Sequence, residues 1–143
     1  MLLKRTQKEN VIEATYDSSN ILSSKYDKDS KNLTITFKRG AQYVYMGVSS
    51  SDYLRFETAE SQGAILNSHI KSYSFEKGEV VDAKLIEEEI NKLKQEEIRL
   101  KQQSIIDDME LIINSFDVDS EFNQTKLMNL VNKIQKHFNP DNE

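Results

Sequence analysis

The chain has no cysteine and no tryptophan, and its 143 residues include only one proline and four glycines. The absence of cysteine excludes disulfides and thiolate metal sites, and it fits a reducing compartment. Because no stretch of 18 apolar residues occurs, the sequence does not predict a membrane span. The first residues are mostly polar or charged and do not resemble a signal peptide, so we expect a cytoplasmic protein.

The net charge of −5 is unevenly distributed along the chain. Residues 1–78 carry eleven Lys or Arg and nine Asp or Glu, whereas residues 79–143 carry eight and fifteen. A near-neutral front part followed by an acidic back part indicates a chain of two parts. Because an acidic segment repels nucleic acid, only the front part could contact a phosphate backbone, and we expect such binding to be weak.

The front part has the residue pattern of a small antiparallel sheet. Residues 33–37 alternate strictly between apolar and polar side chains, and a glycine-containing turn joins them to a returning strand at 42–46. Such a sheet needs a cover, and helices at 49–59 and 61–71 are expected to supply it. Further extended segments are predicted at residues 21–26 and 72–80, with an edge strand at 9–16.

The back part begins with a predicted long helix from Asp82 to about Ser115, which bears two apolar stripes. The first stripe comprises Ile86, Ile90, Leu93 and Leu100. The second comprises Ile98, Ile105, Met109, Ile112 and Phe116, and it is rotated by roughly 110° from the first. Either the helix breaks near residues 101–104, or its two halves face different neighbours.

A second amphipathic helix is predicted over residues 124–138, with apolar side chains from Leu127 to Phe138, and it can pair with the second stripe as a helical hairpin. The first stripe then has no partner of comparable quality within the chain. Its apolar spacing predicts a short coiled coil, formed with a second copy or with another protein. The alternative is that the front domain covers the stripe and the chain is a monomer. We therefore expect an α+β protein with an N-terminal extension (1–16), a compact α+β domain (17–78) and an acidic helical extension (79–143).

Residues 18–71 contain a series of side chains at characteristic spacings. They are Ser18, Ser19, Tyr26, Asp27, Phe37, Gly40, Tyr43, Tyr45, Val48, Tyr53, Ala59, Ser61, Gly63, Asn67, Ile70 and Lys71. The series resembles the KTSC domain, a small bacterial and phage module named for its place at the C-terminus of some lysyl-tRNA synthetases. The resemblance implies no enzymatic role, and its synthetase neighbours suggest RNA binding. Serine follows Val48 where the family usually has proline, and the acidic tail lies outside the resemblance.

The two tyrosines of the returning strand, Tyr43 and Tyr45, point to the same face because they are two residues apart. If Val44 and Met46 fill the core, the tyrosines form an exposed platform on which bases can stack. If the tyrosines face inward, they fill the space under the helices. A candidate surface for a nucleic acid or a protein partner therefore comprises Lys38, Arg39, Tyr43, Tyr45 and Lys71.

The sequence contains no recognisable catalytic motif, and its two histidines, His69 and His137, lack carboxylates at ligand spacing. We therefore predict no enzyme activity, no metal or cofactor and no small-molecule substrate. The favoured function is an adaptor whose helical tail associates with itself or with a protein partner. A phage or prophage accessory protein is one form of it, by resemblance alone. The alternative is a module that binds RNA or another single-stranded nucleic acid.

Overall fold

The computed structural model describes residues 1–114 and 121–138, which fall into two compact units, residues 1–94 and 95–143. In this described part, six strands form one antiparallel sheet in chain order. The strands are β1 (Leu2–Lys8), β2 (Val11–Tyr16), β3 (Ile21–Asp27), β4 (Asn32–Phe37), β5 (Ala41–Tyr45) and β6 (Phe75–Val80). The helices are α1 (Ser50–Thr58), α2 (Gln62–Ile65), α3 (Ala83–Asn114) and α4 (Glu121–Phe138), and a π-helical turn, Leu66–Ile70, follows α2.

The meander and its helices confirm the α+β fold, but the sheet is larger than the sequence predicts. Residues 9–16 were expected at an edge, yet β2 is an inner strand between β1 and β3. The mostly polar residues of β1 alternate too little to indicate a strand. Residues 1–16 therefore belong to the sheet rather than to an extension, and the first unit continues to Lys94 instead of ending at residue 78.

The core lies between one face of the sheet and the helices α1 and α2. The rings of Tyr26 and Tyr53 stack with centroids 4.3 Å apart, and the ring of Phe56 meets Tyr16 edge-on at 5.6 Å. Serine side chains cap both helices as the sequence predicts. The Ser49 hydroxyl accepts from the Asp52 amide at 3.1 Å, and the Ser61 hydroxyl accepts from the Ala64 amide at 3.3 Å.

The first turns of α3 belong to the first unit. An ion pair of 2.6 Å joins Lys4 of β1 to Glu89, and one of 2.8 Å joins Asp17 to Lys94. These contacts place the start of α3 beside strands β1 and β2. Among the described residues, no helix combines the length and the hydropathy that a membrane crossing requires.

The second unit contains a helical hairpin, as the sequence predicts. The α3 helix continues through residues 101–104 without a break. Ile105 and Ile112 are buried together with Leu130, and Ile134 packs against them. Two members of the predicted second stripe, Ile98 and Met109, are instead exposed. Phe116 and the side chain of Phe138 lie outside the described residues.

A buried carboxylate ties β1 to α1. The side chain of Glu57 is only 4% exposed, and it accepts hydrogen bonds from Arg5 Nε at 2.8 Å and from the Tyr53 hydroxyl at 3.0 Å. A charged group that is taken out of water needs such partners, because its lost hydration must be replaced.

We expect Arg5→Met to lower the free energy of unfolding by roughly 1–3 kcal/mol, because Glu57 would keep its burial but lose its charged partner. The matched control is Lys25→Met, which removes an exposed pair with Glu13 at 3.8 Å. That change should cost less than about 0.5 kcal/mol. Urea unfolding of both variants measures the difference, and equal losses would contradict the role assigned to the buried pair.

Stability should also fall at alkaline pH. Burial raises the pKa of Tyr16 and of Tyr53 above the ordinary value of 10.0, and the Glu57 carboxylate adds to the rise. Since the folded state favours the neutral phenols, their contribution is complete below pH 10 and is lost as the unfolded chain ionises above it. Urea unfolding between pH 8 and roughly pH 12 should show the decline, with tyrosinate absorbance of the two rings appearing only on unfolding. A stability that stays constant above pH 10 would contradict this.

Candidate functional site

The structure brings the five candidate surface residues together. Lys38, Arg39, Tyr43, Tyr45 and Lys71 all line one open pocket of about 770 Å³ in the first unit. The pocket lies between the β4–β5 turn on one side and α2 with its π-helical turn on the other. Residues from four separate segments of the chain therefore meet at one end of the sheet.

Aromatic rings form one wall of the pocket. Pairing of β5 with β6 places Phe75 opposite Tyr45, and the ring centroids of these two residues are 5.7 Å apart. The ring of Tyr43 lies 5.9 Å from Phe75 and 5.7 Å from Phe37. Phe75 is 56% exposed, so its ring is available to a ligand.

The sequence leaves open whether Tyr43 and Tyr45 face the core or a ligand, and the structure places the two tyrosines differently. Tyr45 is buried in the core, and this burial raises the pKa of its hydroxyl. Tyr43 is half-buried and packs at the edge of the core, where it lines the pocket. Of the pair, Tyr43 thus presents more of its ring to a ligand.

Three cationic side chains line the same pocket. Lys38 and Arg39 lie in the β4–β5 turn, Lys71 follows the π-helical turn, and all three are exposed. Among the residues that the structure describes, none of the three forms an ion pair, and no Asp or Glu lines the pocket. Their positive charge is therefore not neutralised locally, although the whole chain is acidic.

The conformation of Gly40 fixes the turn that carries Lys38 and Arg39. Gly40 has a φ of +80°, its amide donates to the Phe37 carbonyl at 2.8 Å, and its carbonyl accepts from the Val81 amide at 2.9 Å. A Cβ atom at this position would lie 2.1 Å from the Val81 carbonyl oxygen. The left-handed conformation and the close backbone contact both require glycine.

The pocket also contains residues that the sequence analysis did not include in the candidate surface. Phe75 and Asn20 are two of them. Phe75 lies in the predicted extended segment, and an exposed aromatic residue there was the available signal. Its contact with Tyr43 could not be inferred, because it depends on which strand β6 pairs with.

The predicted oligomer interface does not form one uniform surface. Ile90 is buried, Ile86 and Leu93 are half-buried, and Leu100 is exposed. Ile86 lines a second, polar pocket with Thr6 and Glu13 of the sheet. The start of this stripe therefore lies beside the sheet of the first unit.

Known proteins resemble the part of the chain that contains the pocket. A family model for the KTSC domain matches residues 17–75, a range that includes every pocket-lining residue. The crystal structure of a KTSC domain protein from Yersinia pestis shares 31% identity, with a TM-score of 0.46. The match covers 48% of this chain and 99% of that one. No curated protein matches the chain.

We predict that Gly40→Ala lowers the free energy of unfolding by roughly 1–3 kcal/mol, because an L residue is strained at this φ and its Cβ clashes with Val81. Gly63→Ala is the matched control, since Gly63 is helical and no atom lies within 4 Å of its added Cβ. That change should be neutral or stabilising by up to about 1 kcal/mol. Thermal unfolding tests both variants, and a tolerated Gly40→Ala would contradict the assigned turn geometry.

Proposed function

The chain belongs to the KTSC domain family, and we propose that its domain is a non-enzymatic module that binds single-stranded nucleic acid in the pocket described above. The observation that carries this proposal is the exposed ring of Phe75 beside Tyr43, in a pocket lined also by three cationic side chains and by no Asp or Glu of the described residues. Such a combination suits a ligand with planar rings and negative charges.

The aromatic wall would bind bases, and the cations would bind phosphates. Stacking of a base on an aromatic side chain contributes about 1–3 kcal/mol and tolerates every base. A duplex hides its base faces, whereas a single strand can turn a base into a pocket. The concave shape of the site therefore favours a single strand over a duplex.

The expected affinity is modest, because the pocket supplies only three cations. Each phosphate contact to a single strand releases about 0.7 of a counterion. A plot of log K against log salt concentration should then have a slope of about −2. The sequence ranks this function below an adaptor because the front part carries only two more basic than acidic residues. The local arrangement of charge at the pocket is the reason that we propose the nucleic-acid function first.

A second candidate function is a protein adaptor that uses the helical extension. The observation that favours it is the exposure of several large apolar residues in the second unit, including Ile98, Ile106, Ile113 and Leu127. Apolar side chains that stand together on a surface are typical of interaction sites.

Fluorescence anisotropy with labelled single-stranded RNA and DNA of mixed sequence tests the nucleic-acid function. Lys38→Glu/Arg39→Glu should weaken binding more than about tenfold and move the salt slope towards about −0.7. The control is Lys8→Glu/Lys28→Glu, which makes the same charge change at the opposite end of the sheet. Both control lysines are exposed. The control should bind within about twofold of the wild type, apart from a small general charge effect.

A further variant tests the shape of the pocket independently of its charge. Gly63 lines the pocket and faces open space, so Gly63→Leu should partly fill the pocket without changing charge or fold. We expect it to weaken binding while leaving the salt slope unchanged, with Gly63→Ala as its control. No binding by the wild type, or equal binding by the two charge-reversed variants, would contradict the proposal.

A further inference from the structure

The second, polar pocket is a cavity between the first turns of α3 and the sheet. It has a volume of about 830 Å³, and its lining residues all belong to the unit 1–94. Side chains from all six strands line it on one side, and residues of the segment 81–89 line it on the other. Closely packed elements leave few voids larger than a water molecule between them. The start of α3 therefore lies over the sheet without packing closely against it.

The sheet face below this cavity carries a row of polar side chains. Thr15 of β2 pairs with Ser23 of β3, and Ser23 pairs with Thr36 of β4, so three hydroxyl-bearing residues stand side by side. Gln42 of β5 continues the row and donates to the Thr36 hydroxyl at 3.0 Å. One face of an antiparallel sheet is commonly in contact with water, and polar side chains suit that position. This row therefore needs no apolar cover.

Two ion pairs attach the start of α3 to the sheet side of the unit. Lys4 Nζ lies 2.6 Å from the Glu89 carboxylate, and Lys94 Nζ lies 2.8 Å from the carboxylate of Asp17. All four side chains are between 42% and 46% exposed. Exposed ion pairs contribute little to stability, and salt screens them further. The electrostatic part of this attachment is therefore weak and depends on ionic strength.

Apolar contacts add little to the attachment. Of residues 83–94, only Ile90 is buried, whereas Ile86 and Leu93 are half-buried. The helix also lies outside residues 17–75, the range that the family model matches. The family domain is therefore defined without a helix over this face.

A short hinge precedes the helix. The Val81 amide donates to the Gly40 carbonyl at 2.9 Å, which holds the backbone at this residue. The Asp82 carboxylate accepts from the Lys84 amide at 3.0 Å and caps the helix. Rotation about the backbone bonds of Asp82 can therefore move the helix away from the sheet without breaking the hydrogen bonds of β6 or of α3.

We propose that residues 83–94 form a strap that opens as the ionic strength rises. In the closed state the strap covers the cavity, and in the open state the row of hydroxyl groups on the sheet is accessible. A ligand that binds the uncovered face would shift the strap towards the open state, since it binds that state more tightly. No residue of the strap lines the pocket that contains Phe75, so this device is separate from the proposed nucleic-acid site.

Double electron–electron resonance spectroscopy of the full chain tests the strap, because a chain without cysteine accepts spin labels at chosen positions. Asn91→Cys places one label at an exposed position of the strap, and Lys28→Cys places the other at an exposed position of the β3–β4 turn. We expect one narrow distance distribution at 0.1 M NaCl. At 1 M NaCl the screening length falls from about 10 Å to about 3 Å, and a second distance should appear.

Lys4→Gln/Lys94→Gln in the labelled chain removes both ion pairs. The open fraction at 0.1 M NaCl should then be at least about threefold that of the wild type. Lys84→Gln/Lys92→Gln is the matched control, because these lysines are exposed on the same helix and form no ion pair with a described residue. Its open fraction should stay within about 1.5-fold of the wild type.

A reference pair of labels, Lys28→Cys and Glu76→Cys, lies on the turn and on β6 and should keep one distance under all conditions. An unchanged distribution of the strap pair at 1 M NaCl would overturn the proposal. So would equal open fractions in the anchor variant and its control, or a change in the reference pair, because the sheet itself would then be altered. None of these distances depends on whether the pocket binds nucleic acid.

Discussion

The pairing of β5 with β6 is the interaction on which the front domain depends. The chain leaves the sheet after Tyr45 and returns to pair with the same strand at Phe75, and the Met46 amide donates to the Ser74 carbonyl at 2.8 Å where the two meet. The intervening segment must therefore cross the apolar face, where α1 and α2 exclude water from the core. This return also places Phe75 beside Tyr43 and Tyr45. The same strand pairing therefore closes the core and forms the aromatic wall of the pocket.

Charged side chains serve two different purposes in this domain. Arg5 and Lys4 are committed to partners within the fold, the first to the buried Glu57 and the second to Glu89. Lys38 and Arg39 stand instead on a turn whose backbone is fixed by Gly40 and Val81. Holding cations on a rigid turn lowers the entropy that a ligand must remove on binding. The acidic net charge of the chain thus gives no measure of the local field at the pocket.

The long helix α3 has different neighbours along its length. Its first turns are held beside the sheet by Glu89 and Lys94, whereas its later turns pair with α4 through Ile105 and Ile112. The rotation between its two apolar stripes follows from this change of neighbour, and no break in the helix is needed.

The sequence by itself determined the elements whose signals are local. The alternation of residues 33–37, the caps Ser49 and Ser61, and the matching stripes of Ile105 and Leu130 each depend on side chains a few positions apart. Tertiary structure alone decided that the polar strand β1 joins the sheet, that Tyr45 is buried while Tyr43 lines a pocket, and that Phe75 completes it. These outcomes depend on which distant segments pair. That choice is set by the free energy of the whole sheet and its cover, which no short stretch of sequence contains.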